Sequence, residues 1–212
     1  MIARPRRRQA AALIAELTPT SGRSTQTAGS CVLREDGEFA WAVDEGGKTS
    51  EDEAFWRFSL AFYERPGVPD ALIALQDRDG FDVNLVLFAL WVGISGRGPL
   101  NGDALAAAER IAGTLRSEIV EPLRNLRRKL RRHPDGDVQR LREGVKALEI
   151  EGEKLVQERL ARLAGSGCAG TCPGGRRTAA HANLALYLGG EGVRSKEAAV
   201  IEEALDAFAQ DL

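Results

Sequence analysis

Apolar positions recur every three or four residues along most of the chain from Glu53 onward, which is the period of helices that bury one face. The segment EAFWRFSLAFYE is the clearest case. Its apolar stripe consists of Phe55, Trp56, Phe58, Leu60, Phe62 and Tyr63. The sequence RPGV then ends this helix, because glycine and proline interrupt the backbone hydrogen-bond ladder. No segment alternates apolar and polar positions as a strand would, so the predicted fold is all-α.

The segment DRDGFDVN, at residues 77–84, precedes the apolar run LVLFALWVGI. In an EF-hand alignment, Phe81 and Phe88 occupy positions that need oxygen ligands, so calcium binding is not predicted. A corner between two helices accounts for the same residues. Gly80 ends the first helix in a left-handed conformation, and Asp82 caps the second.

Two amides at this corner, Gln76 and Asn84, need partners, because buried amides must be hydrogen-bonded. They either pin the corner by bonding backbone groups or line a polar pocket. The default role of Trp56 and Trp91 is core packing, unless such a pocket opens beside them. The candidate pocket residues are Trp56, Tyr63, Gln76, Asp82, Asn84 and Trp91.

Two long helices are predicted next. The first begins at Asn101 or Asp103, and Pro122 must kink or restart it, since proline removes a backbone donor and clashes with the preceding turn. The second returns antiparallel over the first, as in a coiled coil, with a three–four stripe of apolar residues. That stripe consists of Val138, Leu141, Val145, Leu148 and Leu155, with Gly152 where another apolar residue is expected. Two further helices, near 179–188 and 195–210, end the compact bundle.

The segment RNLRRKLRR, at residues 124–132, carries six basic residues and no acidic one. On a helix, Leu123, Leu126 and Leu130 would face inward and the arginines would fan outward. Such a surface can neutralise nucleic-acid phosphates, bind an acidic protein or contact a membrane surface. A further alternative is a solvated face that pairs with glutamates of the next helix, namely Glu143, Glu149, Glu151 and Glu153. The candidate partner-binding residues are Arg124, Arg127, Arg128 and Arg131.

Charge and composition change this picture little. The formal net charge is -2, so no overall basic field favours nucleic acid. The longest apolar run, residues 85–94, has about half the twenty residues that a membrane span needs. The apolar part of the N-terminal segment MIARPRRRQAAALIA is too short for a signal peptide. Three cysteines in a chain of this length favour a reducing cytoplasm.

Three residues raise the question of a zinc site: Cys168, Cys172 and His181. A structural zinc site needs a fourth ligand, and none is evident. The same loop, GTCPGGRRT, lacks the lysine and the preceding strand of a phosphate-binding loop. Neither a metal nor a cofactor is predicted.

Residues 1–51 differ from the rest because they contain the polar, glycine-rich stretches STQTAGS and DEGGKTSEDE. We predict a disordered or dispensable tail there. Translation from a non-ATG codon at Val43 would leave residues 1–42 unmade, which is a second hypothesis. Residues 52–212 are predicted to form a single all-helical domain, with a glycine- and cysteine-rich loop at 165–178.

The stretch FWRFSLAFYERPGVPDALIALQDRDGFDVNLVLFALWVG resembles the signature of an uncharacterised proteobacterial family of short, all-helical proteins. Its most specific part is ALQDRDGFDVNLVLFALWVG. The resemblance covers about residues 54–163 and extends over HANLALYLGG, which is similar to the closing helix of that family. It implies a helical fold and a cytoplasmic bacterial setting. It implies no activity, because the family is a domain of unknown function.

The leading hypothesis is a non-enzymatic interaction or regulatory protein that docks an unidentified protein partner through the helix pair 103–164. The alternative is a small-molecule-binding protein or enzyme with its pocket at the Gln76–Asn84 corner. Nucleic-acid binding through helix 124–132 is the third possibility, and no aromatic interleaving or reading motif accompanies those charges. No oligomeric state is predicted.

Overall fold

The computed structural model describes residues 30–33, 39–42, 51–167 and 175–210 of the chain. The helices are α1 (Glu51–Tyr63), α2 (Val68–Ala74), α3 (Val83–Ile94), α4 (Gly102–Leu115), α5 (Glu121–Leu130), α6 (Gly136–Gly167), α7 (Gly175–Gly192) and α8 (Lys196–Gln210). A π-helical turn at Leu75–Asp79 continues α2, and a second at Arg116–Val120 joins α4 to α5. The helices pack against one another, which confirms the predicted all-α bundle.

A two-stranded antiparallel hairpin lies in the region that we predicted to be a tail. Strand β1 (Ser30–Leu33) pairs with β2 (Phe39–Ala42), with Cys31 opposite Trp41. The expectation that the chain contains no strand was therefore wrong. Each strand has only four residues, too few to give a clear alternating signal. The other residues of 1–50 lie outside the described residues, so the disordered or dispensable tail stays a prediction.

Helix α3 is the centre of the bundle, and all of its residues are buried. Its most extensive contact is with α7. Gly93 makes this contact close, because a Cβ atom there would lie 2.2 Å from the backbone nitrogen of Ala180. The backbones of α3 and α7 can approach this closely only because Gly93 has no side chain.

Aromatic residues of α1 join α3 and the last helix, α8, into one hydrophobic core. Phe55 stacks on Trp91 of α3, with ring centroids 4.9 Å apart. Phe58 meets the ring of Phe208, in α8, edge-on at 5.3 Å. The core runs from Phe55 to Leu205, so the wide buried face predicted for the first helix is confirmed.

The corner at residues 77–84 has the predicted geometry. Gly80 ends the first π-helical turn in a left-handed conformation, with φ of 79°. The Asp82 carboxylate accepts a hydrogen bond from the Asn84 backbone N–H at 2.9 Å and so caps α3. Asp77 and Asp79 are exposed. Arg78 bonds Asp79 and holds the pKa of that carboxyl below its usual range.

The second π-helical turn lies directly before Pro122. Proline cannot donate the hydrogen bond that an α-helix needs at this position. The chain changes to the wider π-helical spacing over residues 116–120 and resumes α-helical geometry at Glu121. The predicted disturbance at Pro122 therefore takes the form of a π-helical turn.

The buried face of the α5–α6 pair differs from the prediction. Arg124 and Arg127 are buried, whereas Leu126 is 43% exposed. On α6, Leu141 and Leu148 are 59% and 57% exposed. The expectation that the leucines face inward and all the arginines fan outward was wrong. The physical reason is that α6 supplies a buried carboxylate to each of the two arginines.

Candidate functional site

Four charged side chains fill the interface between α5 and α6. Arg124 donates hydrogen bonds to Glu149 at 2.9 Å and to Glu153 at 2.6 Å, and Arg127 donates two to Glu149. We call these four residues the arginine–glutamate cluster. Both glutamates are buried, so each charge depends on its partner in place of water. One alternative drawn from the sequence was a solvated face paired with these glutamates. The pairing is confirmed for two of the four arginines, but these pairs are buried and not solvated.

A chain of amides continues the cluster into the core. Asn84 donates from Nδ2 to Glu153 at 2.7 Å and accepts a hydrogen bond from Gln157 at 2.9 Å. The Ser59 hydroxyl, in α1, lies 3.0 Å from the Gln157 oxygen. All four side chains are buried. Asn84 therefore bonds side chains of α6 and joins α3 to it, whereas the sequence suggested backbone partners.

Burial raises the pKa of Glu153, against the lowering effects of Arg124 and of the Asn84 hydrogen bond. Burial likewise raises the pKa of Tyr63, and the nearby charges of Asp70 and Glu153 add to the effect. The Tyr63 hydroxyl is buried and makes no hydrogen bond with the residues that the structure describes. The protonation of Glu153 and Tyr63 therefore depends on the packing of the helices that bury them.

A small recess lies where the two π-helical turns meet the start of α3. Its lining consists of Gln76, Asp82, Val83, Asn84, Arg116, Arg124 and Glu153. The Arg116 guanidinium bonds the second Asp82 oxygen at 2.8 Å. The volume is about 10 Å³, roughly the space that one water molecule needs. We call this site the corner recess.

The candidate pocket residues fall into two groups. Gln76, Asp82 and Asn84 meet at the corner recess. Trp56 packs with Ile150, and Trp91 stacks on Phe55 with the Arg97 guanidinium 4.3 Å from its ring centroid. Tyr63 belongs to the main core. Neither tryptophan lines the recess, in keeping with the default role of core packing.

Three leucines on the outside of the α5–α6 pair depart most from the expectation that large apolar side chains are buried. Leu126, Leu141 and Leu148 are three of the four large hydrophobic side chains that are exposed among the described residues. We call them the leucine seam. The fourth is Leu186, in α7, which is 43% exposed.

Basic side chains accompany the leucine seam. Lys129, Arg131 and Arg132 are exposed and make no ion pair with another described residue. The segment 122–134 contains no acidic residue that could neutralise them locally. Arg128 is half-buried, and burial beside Arg124 and Arg127 lowers its pKa. Of the four candidate partner-binding arginines, only Arg131 is exposed.

Arg116 was not among the candidates from the sequence, and Glu153 was expected only as a partner of the arginines. Both lie far along the chain from the corner that they complete, and no local pattern links them to it. Gly152 was a sequence signal of the close contact between α6 and the second π-helical turn. It stands at an expected apolar position because the side chains of Ile119 and Val120 occupy the space there, at 3.4 and 3.3 Å from where a Cβ would lie.

The three residues considered for zinc are only partly described. His181 Nε2 lies 2.8 Å from an Asp206 oxygen, and Nδ1 lies 3.7 Å from Glu202. These contacts hold α7 against α8 at a half-buried position. Cys168 and Cys172 lie outside the described residues.

The fold and its sites define a helical-bundle protein with a charged interface inside it and apolar side chains on its surface. Of the described helices, none combines the length and the apolar character needed to cross a membrane. Residues 54–160 match the family described as "Protein of unknown function (DUF2390)", which is just over half of the chain. The chain belongs to this family, and the expected membership of a domain of unknown function is confirmed over residues 54–160. No curated protein and no solved structure matches the chain significantly.

Proposed function

We propose that this protein acts by docking a partner protein on the α5–α6 helix pair, with the leucine seam at the centre of the interface. The observation that carries the proposal is the orientation of the pair, which buries four charged side chains and leaves three leucines in water. Exposed apolar side chains that cluster on one surface are typical of interaction sites. The cytoplasm, predicted from the cysteine count, is the proposed setting.

Helical periodicity supports the clustering of the three leucines. Ile119 and Gly152 contact each other across the two helices. Leu148 precedes Gly152 by four residues, so it lies on the same side of α6 as that contact. Leu126 lies in α5 between Arg124 and Arg127, whose guanidinium groups both bond Glu149, the residue after Leu148. Leu141 precedes Leu148 by another seven. The two leucines of α6 therefore lie along one line, and Leu126 of α5 lies beside this line at the level of Leu148.

The test is affinity purification of the full chain from nuclease-treated lysates of its source organism, read by quantitative mass spectrometry. Wild type is compared with Leu148→Gln and with Leu186→Gln, an exposed leucine on α7 that serves as the matched control. We expect one partner that wild type and Leu186→Gln recover equally and Leu148→Gln does not. Direct binding of that purified partner must show the same order.

Folding is checked in the same variants by urea denaturation. Because Leu148 is largely exposed, we expect its replacement to change the free energy of unfolding by no more than about 0.5 kcal/mol. Equal recovery of every protein by all three chains would contradict the proposal, as would recovery of no partner. Recovery that depends on nucleic acid, and that falls steeply with salt, would favour the third possibility drawn from the sequence.

Small-ligand binding at the corner recess is a second candidate function. Its support is that both π-helical turns border the recess, since such turns are frequent at functional sites. Its volume, room for about one water molecule, places it second. A thermal-shift screen of small metabolites tests it. A ligand that raises Tm in wild type but not in Gln76→Ala would support the site, and the absence of any such ligand would count against it.

A further inference from the structure

We infer that the segment of the partner that occupies the leucine seam is an acidic amphipathic helix. This inference rests on the proposed function, because it names the chemistry of the partner at the same surface. Three properties of the described residues carry it: the spacing of the leucines, the absence of a free backbone edge, and the charge beside the leucine seam.

The spacing of the leucines fits a helix. Leu141 and Leu148 are seven residues apart on α6, which corresponds to about 10.5 Å along the helix axis. A docked helix presents apolar residues at intervals of three, four and seven, and two such residues lie at the same separation. Leu126 lies on the neighbouring helix, α5, and provides a contact beside the line through Leu141 and Leu148. A helix lying along the leucine seam would cover all three leucines.

The backbone of this surface favours a helix over a strand. An added strand needs the unpaired backbone groups of a sheet edge. Helices α5 and α6 satisfy their backbone groups internally, and their loop is bonded by the Gln139 side chain to the carbonyls of Leu130 and His133. Binding at the leucine seam must therefore use side chains, as a helix in a groove does.

The charge beside the leucine seam selects an acidic partner. Lys129 lies three residues after Leu126, on the exposed side of α5, and Arg131 and Arg132 follow it. Opposite charge across an interface speeds association and disfavours wrong partners. Three free cations beside an apolar strip are complementary to a helix that carries leucine-like residues on one face and Asp or Glu along its flank.

A second copy of this chain fits the surface less well. It would bring the same three cations to the interface. The acidic residues in the first two turns of α6 are already engaged, because Asp137 pairs with Arg140 and Glu143 pairs with Arg142. An interface between two copies would therefore place like charges together, which costs binding energy.

The experiment uses a phage-displayed library of helical peptides. Leucine is fixed at three positions spaced for the leucine seam, and Glu, Gln or Lys is allowed at each flanking position. The library is selected on the full-length wild type after removal of phage that bind Leu148→Gln. We expect the selected peptides to be enriched in Glu. They should bind on the order of tenfold more tightly than their Gln counterparts, as three exposed ion pairs would give.

A charge reversal sharpens the test. The variant Arg131→Glu with Arg132→Glu changes only exposed side chains and should select Lys in place of Glu. Arg110→Glu, an exposed cation of α4, is the matched control and should still select Glu. Enrichment of Gln or Lys on wild type, or the same peptides from the reversed variant, would overturn the inference.

The remaining outcomes separate this inference from the proposed function. A partner that depends on Leu148 but docks through a neutral or basic segment overturns the inference and leaves the proposed function intact. Loss of a dimer in Leu148→Gln, measured by sedimentation, would make a second copy the occupant. Binding of the wild type to phosphatidylglycerol vesicles without selection of any peptide would make it a membrane surface. Either result would overturn the inference.

Discussion

Helices α3 and α7 meet through glycine, alanine and apolar side chains, whereas α5 and α6 meet through two arginines and two glutamates. At the first contact, the backbones approach so closely that a methyl group at Gly93 would overlap Ala180. At the second, the Glu149 carboxylate lies between two guanidinium groups. The first contact is stabilised by close packing. The second needs each charge to keep its partner, since a buried charge without one is costly.

This difference explains why the two regions expose different surfaces. Every residue of α3 is buried, and Asn84 is its one polar side chain. Where α5 meets α6, two arginines and two glutamates take inward positions, and Leu126, Leu141 and Leu148 are left on the outside. The surface that we propose for partner docking is therefore a consequence of the charged interface beneath it.

The largest expected effect comes from breaking the charged interface. Glu149→Leu removes the carboxylate that accepts the Arg127 hydrogen bonds, and should lower the free energy of unfolding by about 3–5 kcal/mol. Replacing Arg127 with Leu as well should recover part of this loss, because the unpaired charge is removed. Glu143→Leu, at an exposed position of α6, is the control. Urea denaturation measures all three. A loss under about 1 kcal/mol for Glu149→Leu would show that water screens the cluster.

A smaller effect is expected at the closely packed contact. Gly93→Ala should destabilise the protein by about 1–3 kcal/mol, because the added methyl group must push the α7 backbone away. Gly113→Ala is the matched control. It lies in α4 with open space around it and should stabilise the protein by about 0.5–1 kcal/mol, since alanine favours a helix. If both substitutions stabilised the protein, the contact between α3 and α7 would be looser than described.

The smallest effect concerns pH and distinguishes the two contacts directly. Because burial raises the pKa of Glu153, the folded state holds its proton at pH values where an unfolded glutamate, with a pKa of about 4.3, has lost it. The wild type should therefore lose stability relative to Glu153→Gln as pH rises from about 4 through the raised pKa.

Urea denaturation of both chains over this pH range measures the difference. Gly93→Ala and wild type should keep a constant difference over the same range, because that contact has no titrating group. A Glu153→Gln difference that grew in favour of wild type with rising pH would reverse the sign and show a lowered pKa.

The sequence predicted helices better than it predicted their orientation. Gly80, Asp82 and Asn101 act on neighbouring backbone groups, so their roles as ends and caps could be predicted locally. The side chains of Asp82 and Asn101 both cap the helices that follow them. The hairpin at Ser30–Leu33 and Phe39–Ala42 was missed because its strands are so short.

The buried face of α6 shows why the candidate site was harder to predict. Leu141 and Leu148 repeat with helical period, but so do Glu149, Glu153 and Gln157. Both sets form a stripe, and hydrophobicity alone favours the leucines. The choice depends on Arg124 and Arg127, which lie on another helix and come into contact only when the chain folds. The local sequence pattern of α6 cannot predict a partner that lies on another helix.

Asn183 has a consequence for how the family should be studied. Its side chain, in α7, donates to the Ala89 carbonyl and accepts from the Leu100 N–H, so it binds the middle of α3 and the loop that follows α3. The family match ends at residue 160, before this helix begins. A recombinant fragment cut at the family boundary would lose the cover of α3 and expose its apolar surface. The hydrophobic core thus extends beyond the stretch of sequence by which the family is recognised.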